Sequence, residues 1–532
     1  MRHPVELKGR PASDGIFAGP VFFLSTADAV RQASGDPAIE RRDFDAAVAA
    51  AIAGLGALVA IAEGEGAEML AFQIALLEDD ALLAPARDLI GQGKPADIAW
   101  RKTVDAEIVG YEMSDDDYFR ARATDLKDMR DRVLRQLSGT GGLGSQAGAI
   151  LIGDDVPPSL FLEADWSKGG AIALRQGSPS SHVAILARAR GVPMVVGLGD
   201  IIRDGHSEAA IDGAAGLLVL SPDAPQKRLW SAKADALSAR RDREAPFLDR
   251  PARLGDGSRI ELLINVAEPE ELAVLDPGHC DGIGLMRSEF LFRDGRPLPD
   301  EETQYRAYRR LLDWAGDKPV TIRTLDIGGD KPVKGLTPEG ERNPFLGLRG
   351  VRLTLQRKDV FTAQLRALAR AATHGNLKIM VPMITLSAEL DETAVLLDQV
   401  MADLARDGVA AKRPPLGIMV EVPAVAVAPE LLAKAAFFSI GSNDLTQYVM
   451  AAGRDEASVA ALGDPAHPAV LRLIAHVANY GRERGISVSL CGDMASEPRH
   501  LAALIAAGLR TLSVSPASIA RVKAALAEIK PI

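Results

Sequence analysis

Cysteine is almost missing from this chain: only Cys280 and Cys491 occur in 532 residues. They lie far apart, so no disulfide framework is implied and a reducing, cytoplasmic setting is expected. Long apolar runs are missing too. No charge-free run reaches about 18 residues, so no membrane insertion is expected. The opening residues, MRHPVELKGRPASDG, hold no apolar signal core. A positive surplus is also absent. The 61 Lys and Arg face 72 Asp and Glu, a net charge of −11. That balance speaks against nucleic-acid or membrane binding and permits a basic protein partner. Seven of the eight histidines (His3, His206, His279, His374, His467, His476 and His500) show no ligand spacing, so no His-rich metal centre is expected. No short repeat is evident. What is present is 47% hydrophobic and 25% charged, the profile of a globular chain of about three domains.

The remaining histidine stands in the most informative stretch, GSPSSHVAILARARGVPMVVG, residues 177–197. Small polar residues lead to His182, and Val183, Leu186 and Ala187 then fall on one helical face. Pro193 ends that pattern before a strand at 194–196. His182 is therefore expected at a helix N-terminus, capped by Ser180 or Ser181. Free N–H groups and the helix dipole there favour an anion and a neutral, nucleophilic imidazole. Such a histidine suits carrying a phosphoryl group. A plain capping or surface histidine fits this stretch equally well.

Along the chain, residues 16–24 read as a strand, and 36–138 read as helices. The first helix shows the stripe Phe44, Val48, Ile52, Leu55 and Val59. Short strands return at 149–152, 171–174, 194–196, 209–211 and 216–220. One α/β domain, 1–35 with 139–221, is thus expected around an inserted helical unit, 36–138. Charged, proline-punctuated residues 222–257 read as a linker helix and hinge. From 258 to 532 eight apolar strands alternate with helical runs, near 260–266, 282–287, 319–325, 377–383, 417–422, 437–441, 487–491 and 511–514. This pattern predicts a (β/α)8 TIM barrel with both faces of its strands buried.

In such a barrel the chemistry sits at the C-terminal strand ends. Those ends carry Arg287, Ser288 and Glu289; Arg323, Asp326 and Lys331; Glu421; Asn443 and Asp444, with Arg454 following; and Cys491, Gly492 and Asp493. So many cations at one rim call for an anion, and arginine forks match phosphate oxygens. Glu421 and Asp444 suit a hard cation such as Mg2+. Lys331, on a glycine-rich loop, suits a carboxylate. Cys491 reads either as a buried small side chain, the favoured reading from composition, or as a proton donor. Cys280 reads as structural.

The segments GIGLMRSEFLF (282–292), TIRTLDIGGDKP (321–332), RNPFLGLR (342–349), FFSIGSNDLTQY (437–448) and CGDMA (491–495) resemble the phosphoenolpyruvate-protein phosphotransferases, the enzyme I family of the bacterial sugar phosphotransferase system. The resemblance covers nearly the whole chain. It implies a multidomain α/β protein: a swivelling phosphohistidine domain with a helical subdomain inserted, then the barrel. It implies that His182 accepts the phosphoryl group and that Cys491 protonates the enolate as pyruvate forms. It further implies that Arg287, Arg323 and Arg454 hold phosphate, that Arg349 and Asn443 line the site, and that Lys331 meets the carboxylate. Glu421 and Asp444 would bind Mg2+. The helical subdomain would receive the histidine phosphocarrier protein, and the barrels would form a homodimer.

Related dikinases and synthases carry an ATP-grasp domain where this chain has helices. A dikinase-like enzyme working with a separate nucleotide domain, or a regulatory protein that binds the carrier, are the alternatives. The intact residue set speaks against the latter. No sensory domain is seen at the N-terminus, which sets the expectation of the sugar branch rather than the nitrogen-regulatory one. The loop before the histidine departs from the family pattern: Ser178 and Ser180 stand where a glycine and a threonine are usual, and Val183 replaces a small polar residue.

Overall fold

The computed structural model describes residues 4–24, 31–59, 65–112, 117–139, 147–177, 181–201, 206–292, 297–329, 333, 335–338, 340–453 and 458–530. The chain forms two compact units, residues 1–240 and 241–532. No described helix is long and apolar enough to cross a membrane.

The first unit is built on eight strands: β1 (Val5–Lys8), β2 (Arg10–Ser13), β3 (Ile16–Phe23), β4 (Ile150–Gly153), β5 (Ala171–Leu174), β6 (Met194–Val196), β7 (Glu208–Asp212) and β8 (Leu217–Leu220). Their order in the sheet is β1-β8-β7-β3-β4-β5-β6-β2. Strands β3 and β4 are parallel neighbours. Between them in sequence come five helices: α1 (Pro37–Val59), α2 (Glu65–Leu77), α3 (Asp80–Gly91), α4 (Ala96–Glu112) and α5 (Asp117–Ser138). Local chemistry sets their ends. Asp79, for example, caps α3 by accepting from the Ala81 amide at 2.8 Å.

The buried stripe of α1 is Phe44, Ala47, Val48, Ala51, Leu55 and Leu58. Ile52 and Val59, expected in the stripe, sit at its margin, partly buried. A helix repeating every 3.6 residues buries a broader face than a fixed step of four suggests, and alanines share that face. Two further helices, α6 (Pro158–Glu163) and α7 (His182–Arg190), cover the sheet.

Helix α8 (Ala224–Glu244) leads toward the second unit. Residues 222–257 read as linker helix and hinge from composition, but the end of that segment packs into the barrel. Ala252 and Leu254 are buried in its core, and the Gly255 amide donates to the Ile529 carbonyl at 2.8 Å.

The barrel closes as expected. Its strands are β9 (Glu261–Val266), β10 (Ile283–Arg287), β11 (Pro319–Arg323), β12 (Asn376–Val381), β13 (Leu416–Val420), β14 (Phe437–Ile440), β15 (Ser487–Leu490) and β16 (Thr511–Val514). All are parallel, and β16 pairs back onto β9. Helices α9 (Glu301–Ala315), α10 (Val351–Gln356), α11 (Lys358–Ala371), α12 (Ser387–Arg406), α13 (Pro423–Val427), α14 (Ser442–Met450), α15 (Pro468–Arg484), α16 (Pro498–Ala506) and α17 (Ile519–Glu528) follow in turn. Outward strand residues such as Ile322, Ile379, Ile418, Phe438 and Leu512 join helix residues in one core. Inside the barrel size is traded across strands. A Cβ on Gly417 would lie 2.5 Å from the Phe437 ring, so this glycine makes room for that ring.

Leu512, fully buried in that core, gives a direct test of closure. Leu512→Ala is expected to cost about 2–5 kcal/mol in urea unfolding of the barrel, the range for a large-to-small change in a packed core.

Candidate active site

The C-terminal strand ends surround a cavity of about 390 Å³ lined by Leu285, Arg287, Arg323, Arg349, Met419, Glu421, Gly441, Asn443, Asp444, Cys491, Gly492 and Asp493. Seven residues singled out from the sequence therefore meet here: Arg287, Arg323, Arg349, Glu421, Asn443, Asp444 and Cys491. Lys331 and Arg454 lie outside the described residues, as does Ser180. His182 belongs to the other unit, as the first residue of α7. Its helix is capped by Ser181, whose Oγ accepts from the Ala184 amide at 3.3 Å.

Two of the arginines are already committed. Arg349, 1% exposed, sits between two carboxylates. Its Nε and Nη2 donate to Asp326 at 3.0 and 3.1 Å. Its Nη1 and Nη2 donate to Asp444 at 3.1 and 3.3 Å. Arg323, also buried, donates through Nη2 to Glu289 at 2.7 Å and pairs through Nη1 with Asp326 at 2.9 Å. The Asp326 amide donates to the same Glu289 oxygen at 3.1 Å. Burial works against charge at both guanidinium groups, yet the neighbouring carboxylates push both pKa values up, so both stay cationic. The need for an external anion, inferred from the number of rim cations, is thus met internally for these two. Arg287 at the end of β10 has no ion pair among the described residues.

Glu421 is in the opposite position. It is fully buried. Its Oε1 accepts from the Met383 amide at 2.7 Å, and its Oε2 has no hydrogen-bond partner among the described residues. Met383 holds φ at +58°, a conformation costly for a side chain of this kind, and that geometry belongs to the residue whose amide meets the carboxylate. Among the described residues, Glu289, Asp326, Glu421 and Asp444 outnumber the guanidinium groups of Arg287, Arg323 and Arg349. Burial, then the charges of Asp444 and Asp326, push the Glu421 carboxyl up to about 8.

Cys491 is buried beside Leu285, Met380, Met419 and Phe437. Its thiol donates to the Ile440 carbonyl at 3.6 Å and accepts from Ser439 Oγ at 3.4 Å. Burial pushes this thiol up to about 11, so it holds its proton at neutral pH. Asn443 and Asp493 pair reciprocally, side chain to side chain at 2.8 Å and amide to side chain at 3.0 Å.

Sequence reasoning placed Glu289, Asp326 and Asp493 at strand ends without giving them a role. Their signal was an acid on the same rim as unexplained arginines. Tyr448, whose hydroxyl donates to the Phe345 carbonyl at 2.6 Å and accepts from Arg349 at 3.5 Å, carried no comparable signal. Nor did the Met383 amide.

Residues 241–531 match the phosphoenolpyruvate-binding domain of the phosphoenolpyruvate-utilising enzymes. Residues 8–122 match the N-terminal domain of those enzymes, and 145–216 their mobile domain. The chain is 36% identical over 542 residues to a phosphoenolpyruvate-protein phosphotransferase of Bacillus sp. (strain S), covering 98% of this chain and 93% of that protein. The same protein of Geobacillus stearothermophilus is equally similar, at 36% over 542 residues with the same coverage. A multiphosphoryl transfer protein of Rhodobacter capsulatus is 36% identical over 459 residues; the chain spans about half of it, 54%.

The Glu421 environment predicts a pH effect. Its folded-state pKa of about 8 stands above the ordinary 4.5, so between these values the folded protein binds the extra proton. Stability from this group is full below the lower value and is lost as pH rises through the upper one. In metal-free buffer the barrel's melting temperature is expected to fall across that window, and Glu421→Gln is expected to flatten the fall. An equal slope in the variant would remove Glu421 as its source.

Proposed function

The chain belongs to the phosphoenolpyruvate-protein phosphotransferase family, and from that premise we propose how its own residues carry the reaction. The enzyme takes the phosphoryl group of phosphoenolpyruvate, releases pyruvate, holds the group on His182 and passes it to the histidine of a phosphocarrier protein. This is the first step of a sugar phosphotransferase system. The observation that carries the reading is the cavity at the barrel's C-terminal end, where two buried carboxylates, a protonated thiol and a guanidinium with no ion pair among the described residues converge.

Phosphoryl transfer needs positioning and charge neutralisation more than covalent help. Arg287 is free to clamp the phosphate, with Arg323 held beside it by Glu289 and Asp326. Arg349 orients Asp444. The family resemblance adds Arg454 for the phosphate and Lys331 for the carboxylate, and Asn443 lines the wall.

The residues present fit Mg2+. The unpartnered, buried Glu421 Oε2 and the local surplus of carboxylates are what a hard cation relieves. Among the described residues no cluster of three or more ligating side chains forms, which suits a cation that keeps water and substrate oxygens as its other ligands. Glu421 and Asp444 would hold it, and when bound it neutralises charge on the substrate's oxygens.

Cys491 supplies the proton that converts enolpyruvate to pyruvate, its Sγ–H bond breaking as the C3–H bond forms. His182, at the N-terminus of α7, receives the phosphoryl group where unpaired amides favour an anion.

Several features support the wider reading. Ile98 and Val109 on α4 are eleven residues apart, on one helix face, and both are more than half exposed. They offer an apolar patch to a carrier protein at the helical subdomain. Both cysteines are free thiols, as a reducing cytoplasm requires. Around α12, α13 and the turn Pro429–Leu432, the side chains Leu386, Val395, Val427 and Leu431 stand exposed. They supply an apolar face for a homodimer through the barrel.

Incubation with phosphoenolpyruvate and Mg2+, without nucleotide, is expected to release pyruvate and leave an acid-labile phosphate on His182, read by intact mass and site mapping. His182→Ala should lose the label while still binding phosphoenolpyruvate, because the cavity lies in the other unit. A nucleotide requirement would return the dikinase-like alternative. Leu431→Asp is expected to move the protein from dimer toward monomer in light scattering; an unchanged mass would place the interface elsewhere.

A further inference from the structure

The interior of an eight-stranded parallel barrel is ordinarily filled by bulky branched side chains. Strands β14 and β15 depart from this. Their directly paired residues are Ser439 and Ser489. Ser489 Oγ donates to Ser439 Oγ at 3.1 Å, and Ser439 Oγ donates to Cys491 Sγ at 3.4 Å. Along β15, Ser487, Ser489 and Cys491 alternate onto the same face. Exposure is graded along them: Cys491 and Ser439 are buried, Ser489 is half-buried and Ser487 is exposed. Hydroxyls therefore lead from the thiol toward the N-terminal end of the barrel, away from the substrate cavity.

The apolar walls and the carbonyl that touch the thiol cannot supply a proton. Leu285, Met380, Met419 and Phe437 are apolar, and the Ile440 carbonyl only accepts. Among the described residues Ser439 is the group that donates a hydrogen bond to Sγ.

We propose that Ser439 and Ser489 form a proton relay that reloads Cys491 from water at the N-terminal end of the barrel after each turnover. The inference rests on Cys491 being the acid that forms pyruvate. After Sγ gives its proton to C3, the Ser439 Oγ–H proton passes to the thiolate. The Ser489 proton passes to Ser439, and water replaces it on Ser489. One solvent proton is consumed for each pyruvate formed. A buried thiolate is costly, which drives this transfer. Ser439 and Ser489 act through Cys491 and are positioning residues, not groups that touch the substrate.

The test separates proton supply from phosphoryl transfer. Enzyme, phosphoenolpyruvate, Mg2+ and 13C-labelled pyruvate are incubated in D2O, and NMR follows two rates. One is passage of the carbon label into phosphoenolpyruvate. The other is entry of deuterium into the pyruvate methyl group, corrected for the enzyme-free rate. In the unaltered enzyme deuterium entry should keep pace with carbon exchange. In Ser439→Ala carbon exchange should continue, while deuterium entry falls about tenfold or more relative to it, because Cys491 returns the proton it took from pyruvate. Ser439→Thr, which keeps the hydroxyl, should restore the ratio. An unchanged ratio in Ser439→Ala, or both rates falling together, would overturn the relay and leave the serines as space-fillers beneath Phe437. Cys491→Ala serves as the control. Carbon exchange surviving there at the unaltered rate would overturn the acid assignment itself, a failure distinct from that of the relay.

Discussion

The site depends on one buried bridge, Asp326–Arg349–Asp444. It fastens the long connection after β11 to the start of α14, with both carboxylates held by one guanidinium. Removing one member of such a bridge leaves an uncompensated charge and costs about 3–5 kcal/mol. Backbone chemistry makes the bridge reachable. Gly328 holds φ at +106°, and a Cβ there would lie 2.7 Å from the Leu348 carbonyl. Only glycine lets the two ends of the loop approach closely enough for Arg349 to enter between the aspartates. Glu341 ties the same loop by accepting from the Leu348 amide at 2.9 Å.

The bridge also creates the imbalance on which the chemistry rests. Among the described residues, Arg323 and Arg349 are shared among Glu289, Asp326 and Asp444, and neither pairs with Glu421. Glu421 accepts from the Met383 amide on one oxygen, and its other oxygen has no partner among the described residues. Four ångströms or less separate each arginine from its acids, so these interactions are strong in a dry site. A few residues away Cys491 faces apolar walls and keeps its proton. Environment separates the two groups: burial and neighbouring acids push the carboxyl up, while burial is the main cause of the thiol's raised pKa.

Much of this was legible in the sequence. All eight barrel strands appear as largely apolar runs of four to seven residues, because both faces are buried. Arg287, Glu421 and Asp444 declare themselves as charges at or just past the ends of such runs. Pairing was not legible. Sequence order says that Arg323, Arg349, Asp326 and Asp444 share a rim, but not that the arginines spend their donors on those acids and leave Arg287 uncommitted. Such assignments follow from loop path, set at Gly328. The Met383 amide was invisible because it acts through backbone conformation. The interior serines were read as ordinary strand residues, since their meaning depends on β14 and β15 pairing in register.

Dividing the reaction between two units has an energetic rationale. A phosphoryl group in a cage of guanidinium groups is bound tightly and released slowly. A helix N-terminus contributes only about 0.3–1 kcal/mol to an anion near the surface. That suffices to favour the charged group on His182 and leaves it labile enough to pass on. The Ser181 cap strengthens this balance by satisfying one amide of α7 without adding positive charge. The sequence between Gly177 and His182, SPSS, contains no Lys or Arg. On the proposed reading, strong neutralisation would stay at the barrel rim, and His182 would hold the group weakly enough to give it away.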